Sequence, residues 1–281
     1  MEDIEDVKAR AEEGEVDAMS RLGTQLMKRG QVDEAESWYV RAARGGHPSG
    51  MYNLGLLLCR HRDAGAEAES WWRRAGEAGH VRSMVALADA MFSRGDAEAA
   101  EPWYRKAADA GDAQAAFGLA VLHADAGDSV AALNWYERAA TGGESRAMCN
   151  LAVHHALHGD LAAELHWWRC AAEAGDIRAA YNLAVGLAGT DAAEAQRWYG
   201  RAADGGHAGA ATNIGVLLAG QGDLVGAEPW LRQAAGSGHA SGMVNYGVLL
   251  RKTGRETEAN AWFERAGKAT EQQRVAHPGQ Q

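Results

Sequence analysis

Apolar and small residues recur three or four positions apart through most of this chain, in blocks of about a dozen broken by glycine. Met51, Leu54 and Leu58 are one such run. That spacing marks one face of an α-helix, so the pattern predicts an all-helical chain. Two kinds of block alternate. The first carries a central pair: Leu22-Gly23, Leu54-Gly55, Leu87-Ala88, Leu119-Ala120, Leu151-Ala152, Leu183-Ala184, Ile214-Gly215 and Tyr246-Gly247. The second carries a Trp followed by a large residue: Trp38-Tyr39, Trp71-Trp72, Trp103-Tyr104, Trp135-Tyr136, Trp167-Trp168, Trp198-Tyr199, Trp230-Leu231 and Trp262-Phe263. Successive first Trp residues stand 33, 32, 32, 32, 31, 32 and 32 positions apart. A near-fixed period of this length is the signature of stacked repeats. It predicts eight antiparallel helix pairs of about 32 residues.

The stops between helices are also regular. Asp33, Asp96, Asp128, Asp160, Asp191 and Asp223, most of them after a Gly, open the second helices. An Asp there accepts from the free N–H groups of the first turn and suits the positive end of the helix. Gly46, Gly79, Gly111, Gly143, Gly175, Gly206 and Gly238 close these helices, since Gly adopts the left-handed conformation of a C-terminal stop. His47, His80, His207 and His239 each follow such a glycine, which marks a loop or capping role. Fixed Ala and Gly positions let helices approach closely, and the Trp set fills the space between them. Burying one Trp contributes a few kcal/mol, from ~150–250 Å² at ~25 cal/mol per Å². No pair buries its face alone, so the stack is the folding unit.

The register Ala100-x-x-Trp103-Tyr104-x-x-Ala107-Ala108-x-x-Gly111, together with the central Leu-Gly of the first helix, resembles the tetratricopeptide repeat family. Within that family it is most similar to the Sel1-like branch of bacterial-type repeat proteins. The likeness runs from about residue 15 to 267. It implies one right-handed α-solenoid domain of eight pairs over 15–267, acting as a non-enzymatic interaction scaffold. Residues 1–14 read as a degenerate helical cap ending at Gly14, and 268–281 as a polar tail expected to fray. The period is shorter than the roughly 34 residues of tetratricopeptide repeats, so the superhelical pitch should differ.

Bulk properties narrow the function. The chain has 281 residues, is 47% hydrophobic and carries a formal net charge of −10. An acidic balance argues against nucleic acid and against an anionic membrane surface. No apolar run approaches the ~18 residues of a membrane span, and the acidic start MEDIEDVKAR is not a signal peptide. Cys59, Cys149 and Cys170 are odd in number and form no CxxC pair, which reads as reduced thiols in a cytoplasmic protein. There is no G-x-S-x-G, no GxxxxGK[ST] and no GxGxxG after a strand. Almost every His, Asp and Trp has an equivalent in another copy, whereas catalysis needs a singular constellation. Neither enzyme activity nor a cofactor is expected. His154, His155, His158 and His166 cluster locally, and His154 and His158 have a spacing that can bind metal. No HExxH accompanies them, and no metal site is expected.

Candidate binding residues sit on the first helices. The residue before the central pair is Asn53, Asn150, Asn182, Asn213 or Asn245 in five copies. Asn is a mediocre helix former, so its recurrence needs a reason. The resemblance implies that first helices line a concave surface, where Asn holds the backbone of an extended peptide. Helices packed ~8–10 Å apart would grip about every third residue of a chain advancing ~3.3 Å per residue. An amide can both donate to and accept from backbone. Alternatively, Asn bonds a neighbouring helix and only fixes packing. Arg82, Arg146 and Arg178 lie four residues earlier on the same face. They suit an acidic peptide, or else pair with local carboxylates. Tyr52, Phe117 and Tyr181, just before the Asn position, are either groove contacts or repeat packing. Val121, Val153, Val185, Val216 and Val248 lie three residues after it. They form an apolar floor or, as the expected outcome, pack partly against the next repeat. The sequence thus predicts a monomeric cytoplasmic adaptor that binds another protein or peptide, of acidic character, in a concave groove. A peptide- or metabolite-responsive sensor subunit and a self-associating structural protein are the alternatives.

Overall fold

The computed structural model describes residues 3–276, and among these lie seventeen α-helices and no strand. Helix α1 (Ile4–Glu12) precedes eight pairs. These are α2 (Val16–Lys28) with α3 (Val32–Arg44), α4 (Pro48–His61) with α5 (Gly65–Glu77), α6 (Val81–Ser93) with α7 (Ala97–Asp109), and α8 (Ala113–Asp125) with α9 (Ser129–Thr141). They continue as α10 (Ser145–Leu157) with α11 (Leu161–Glu173), α12 (Ile177–Leu187) with α13 (Ala192–Asp204), α14 (Ala208–Gly220) with α15 (Leu224–Gly236), and α16 (Ala240–Lys252) with α17 (Glu256–Ala276). Helix α17 runs on through the segment expected to fray from residue 268, and 277–281 lie outside the described residues.

The chain forms two compact units, Met1–Ala147 and Met148–Gln281. The division falls inside α10 and needs no linker, because each pair of a stack meets only its neighbours and cohesion is local. In the first unit, α2 packs on α3, α4 on α5, α6 on α7 and α8 on α9; α3, α5 and α7 then pack on the next first helix. In the second, α12 packs on α13, α14 on α15 and α16 on α17, with α11, α13 and α15 on the following first helix. First helices also touch first helices: α2 meets α4, α6 meets α8, and α14 meets α16.

Local chemistry sets the boundaries. Gly46 (φ 84°) and Gly111 (φ 92°) take the left-handed conformation after α3 and α7. The His47 N–H then reaches back to the Ala42 carbonyl at 3.0 Å, closing the helix end. Asp96, Asp128, Asp160, Asp191 and Asp223 cap second helices, each accepting from the N–H three residues on at 2.8–3.1 Å. Asp33 differs. Gln31 follows Gly30 and takes the cap position, leaving Asp33 in the first turn of α3, where it pairs with Arg62.

The two aromatic positions do different work. The second residue of the pair is buried at Tyr39, Trp72, Tyr104, Trp168, Tyr199 and Leu231. It fills the gap within a helix pair, and a Cβ on Gly55 would lie 2.7 Å from Cε2 of Trp72. The first Trp bridges pairs. Trp103 of α7 rests on Gly76 of α5, 3.0 Å from where its Cβ would be. Cations one turn on cover these rings: Arg41 lies 4.2 Å from Trp38, Lys106 4.7 Å from Trp103, and Arg201 4.6 Å from Trp198.

Candidate protein-interaction face

The first helices are fixed at their N-termini by the residue after the closing glycine. Side chains of His47, Asp112, Asp176, His207 and His239 accept from the N–H three residues on, at 2.8–3.2 Å. The histidines accept through Nδ1, which requires a neutral ring. Just inside this cap, each first turn meets the residue before the Asn position of the preceding first helix. Tyr52 lies 5.4 Å from His80 and 4.8 Å from the Arg82 guanidinium. Phe117 lies 4.4 Å under Arg146. Tyr181 stacks on His207 at 4.3 Å and 22°, and Thr212 Oγ1 sits 3.1 Å from His239 Nδ1. Cys149 takes the same place against Asp176, its thiol pushed up to about 11 by desolvation and then by that carboxylate. Tyr52, Phe117 and Tyr181 are therefore half-buried members of a seam between first helices.

The Asn set divides. Asn213 faces the Tyr199 hydroxyl and opposes the desolvation that raises its pKa, and Asn245 Nδ2 donates to the Ser241 carbonyl at 2.9 Å. The Asn245 bond lies within its own helix, whereas Asn213 faces the preceding second helix. Asn53 and Asn182 form no hydrogen bond among the described residues, and Asn150 is exposed. The Arg set divides too. Arg146 is held by Glu144, Nε to Oε1 at 2.8 Å and Nη2 to Oε2 at 3.1 Å. Arg82 and Arg178 are exposed and form no ion pair among the described residues.

The valines are partly covered, to differing degrees. Val153, Val185 and Val216 are 47%, 49% and 45% exposed, while Val121 and Val248 are half-buried. The reason is the seam: neighbouring first helices meet through the first turn of the later helix, and these valines lie one turn beyond that contact. Sorting charge by helix shows a second feature that reading along the chain missed. The eight first helices carry eight Lys or Arg residues against three carboxylates, Asp17, Asp89 and Asp125. Helices α10, α12, α14 and α16 carry no carboxylate at all. The acidity behind the net charge of −10 therefore lies on the second helices, α1 and the connections.

Asp89 also went unremarked. Gly118 stands where other copies carry Asn, and a Cβ there would lie 2.7 Å from Cζ of Tyr104. The open space lets the Tyr104 hydroxyl donate to Asp89 Oδ1 at 2.6 Å, with Gln114 Nε2 3.4 Å from Oδ2. Desolvation pushes the Asp89 carboxyl above its usual range, opposed by the Tyr104 bond and the Arg146 charge. Elsewhere, the His154 and His158 rings are 4.2 Å apart, and no group of three metal-ligating side chains forms among the described residues. No helix among them is long and apolar enough to cross a membrane.

Tetratricopeptide repeat models match residues 85–146 and 208–233. A Sel1 repeat protein from Oxalobacter formigenes is 26% identical, with a TM-score of 0.67 over 94% of this chain and 87% of that one. A protective antigen of uropathogenic Escherichia coli with an SLR fold is 23% identical, with a TM-score of 0.76 over 95% of this chain. The chain spans 64% of that antigen's length. No curated protein matches the sequence significantly.

Proposed function

We infer that this chain, a tetratricopeptide-type repeat protein of the Sel1-like kind, is a non-enzymatic scaffold whose first-helix face holds an extended segment of a partner protein. Stacked repeats offer periodic surfaces rather than a single cleft, and partner binding is their usual use. The observation that carries the reading is the set of unsatisfied polar groups on the first helices of each unit. Asn53 and Asn182 have amides with no internal partner, and Arg82 and Arg178 have no ion pair among the described residues. An Asn amide binds backbone without demanding a particular side chain. The Arg pair favours a partner of acidic character. Tyr52, Phe117 and Tyr181 line the seam between these groups and add apolar contact at its open edge. Cys59, Cys149 and Cys170, read as reduced thiols, fit an adaptor working in the cytoplasm, and we take it to act as a monomer.

The test is a titration. A partner captured from cells that express the protein is purified and titrated with wild type and with Asn150→Ala/Asn182→Ala. Two amide–backbone bonds contribute ~1 kcal/mol each, so affinity should fall more than about tenfold with helicity unchanged. Equal affinity for both proteins would remove the Asn residues from the account.

A further inference from the structure

We propose that the segment held by the second unit is amphipathic as well as extended, with carboxylates along one edge and aliphatic side chains along the other. This rests on the first-helix face being the binding surface and specifies what that surface selects. On α12, Arg178, Asn182 and Val185 are four and three residues apart. At 100° per residue they fall within about 60° of one another, and they span about 10 Å of helix at 1.5 Å per residue. Asn150 and Val153 on α10 repeat the inner two positions, and Val216 on α14 repeats the valine. The contacts of Cys149 with Asp176 and of Tyr181 with His207 hold the three helices side by side. The face therefore carries parallel bands: amides in the middle, exposed valines one turn toward the helix C-termini, and a free guanidinium one turn toward the N-termini.

An extended chain crossing these helices turns successive side chains to opposite sides. With its backbone on the amide band, one set of side chains points to the valines and the other to Arg178. Charge decides the second set. Helices α10, α12, α14 and α16 carry no carboxylate, in a chain whose net charge is −10. A carboxylate approaching α12 meets Arg178 and no carboxylate borne by a first helix, whereas a basic segment would be drawn to the second helices. Area decides the first set. Three valines, each close to half exposed, lie on consecutive first helices, and a contiguous apolar band marks an interaction site where a lone exposed Val would not. A second copy of the chain is a poor occupant, because residues 4–276 form helices joined by short turns and offer no extended segment.

A phage-displayed library of random 12-residue peptides, selected on the full chain, tests this. Recovered peptides should alternate Asp or Glu with Val, Ile or Leu. A synthetic copy of one should lose at least tenfold in affinity for Val185→Glu/Val216→Glu. It should lose a similar factor for Arg178→Glu and regain it when its own carboxylates are replaced by Lys. These side chains are exposed, so circular dichroism should match wild type. Peptides that depend on Asn150 and Asn182 but lack the alternation, or ignore the valine changes, overturn this inference and leave the scaffold reading standing. Recovery of no peptide sensitive to the Asn, Val or Arg changes overturns both.

Discussion

Gly55→Ala and Gly76→Ala set helix propensity against close packing within one helix pair. Both glycines are buried and helical, and alanine gains about 0.8–1 kcal/mol of propensity at either. At Gly55 the new methyl would sit 2.7 Å from Cε2 and 2.8 Å from Cδ1 of Trp72. That ring is 5% exposed, and its Nε1 donates to the Tyr52 carbonyl at 3.1 Å, so it has to move. The α10–α11 pair shows where such a ring goes. There Ala152 takes the place of Gly55, and Trp168 Nε1 turns to Glu164 Oε1 at 3.3 Å. The residue four before Trp72 is Ala68, which offers no acceptor. The displaced indole N–H is left unsatisfied, costing ~1–3 kcal/mol, and overpacking costs ~1–3 kcal/mol more. Less the propensity gain, Gly55→Ala should destabilise by about 1–5 kcal/mol.

At Gly76 the methyl would lie 3.0 Å from Cζ3 of Trp103 and 3.2 Å from Cγ of Met84. Ala43, Ala108, Ala140, Ala172, Ala203 and Ala235 occupy the equivalent place in six other pairs. A shift of a few tenths of an ångström suffices, and Gly76→Ala should stabilise by up to ~1 kcal/mol. Urea unfolding followed by circular dichroism and Trp fluorescence reads both midpoints. A Gly55→Ala protein as stable as wild type, or a Gly76→Ala protein weakened equally, would refute the packing argument.

Two further predictions concern titrating groups. Burial lowers the His80 and His207 pKa from the usual 6.5, with Arg82 and His47 adding at His80, and His239 at His207. The folded protein thus binds these protons less readily than the unfolded chain, so their stabilisation is present above about pH 6.5 and lost as pH falls below it. The thermal midpoint should drop from pH 8 to pH 5. His207→Asn, which keeps a capping acceptor, should flatten part of that drop, and a slope unchanged by it would count against the capping account. Tyr104→Phe removes a bond that holds the Asp89 pKa down, so that carboxyl should titrate at higher pH by NMR; an unchanged or lower value would contradict the contact.

The repeat was legible because its cause is local. Trp spacing, Gly at left-handed positions and Asp after Gly each act within a few residues, and the structure places Gly46, Gly111, Asp96 and Asp223 accordingly. What the sequence left open depends on register between helices. Asn213 faces Tyr199 while Asn182, the equivalent residue one copy earlier, forms no hydrogen bond among the described residues, and nothing within either helix distinguishes them. Arg146 looks free until Glu144, at the cap position, folds onto it. The exposure of Val153, Val185 and Val216 follows from where first helices touch, which period and composition do not encode.

The central claim is that partners bind the first-helix face. A photo-crosslinking amino acid at Val185 on α12, compared with one at Arg197 on α13, tests it most directly, since both positions are exposed. In cells that express the protein, the account predicts a crosslinked partner from position 185, lost when Asn150 and Asn182 are also changed to Ala, and none from 197. Crosslinking from 197 alone would contradict it.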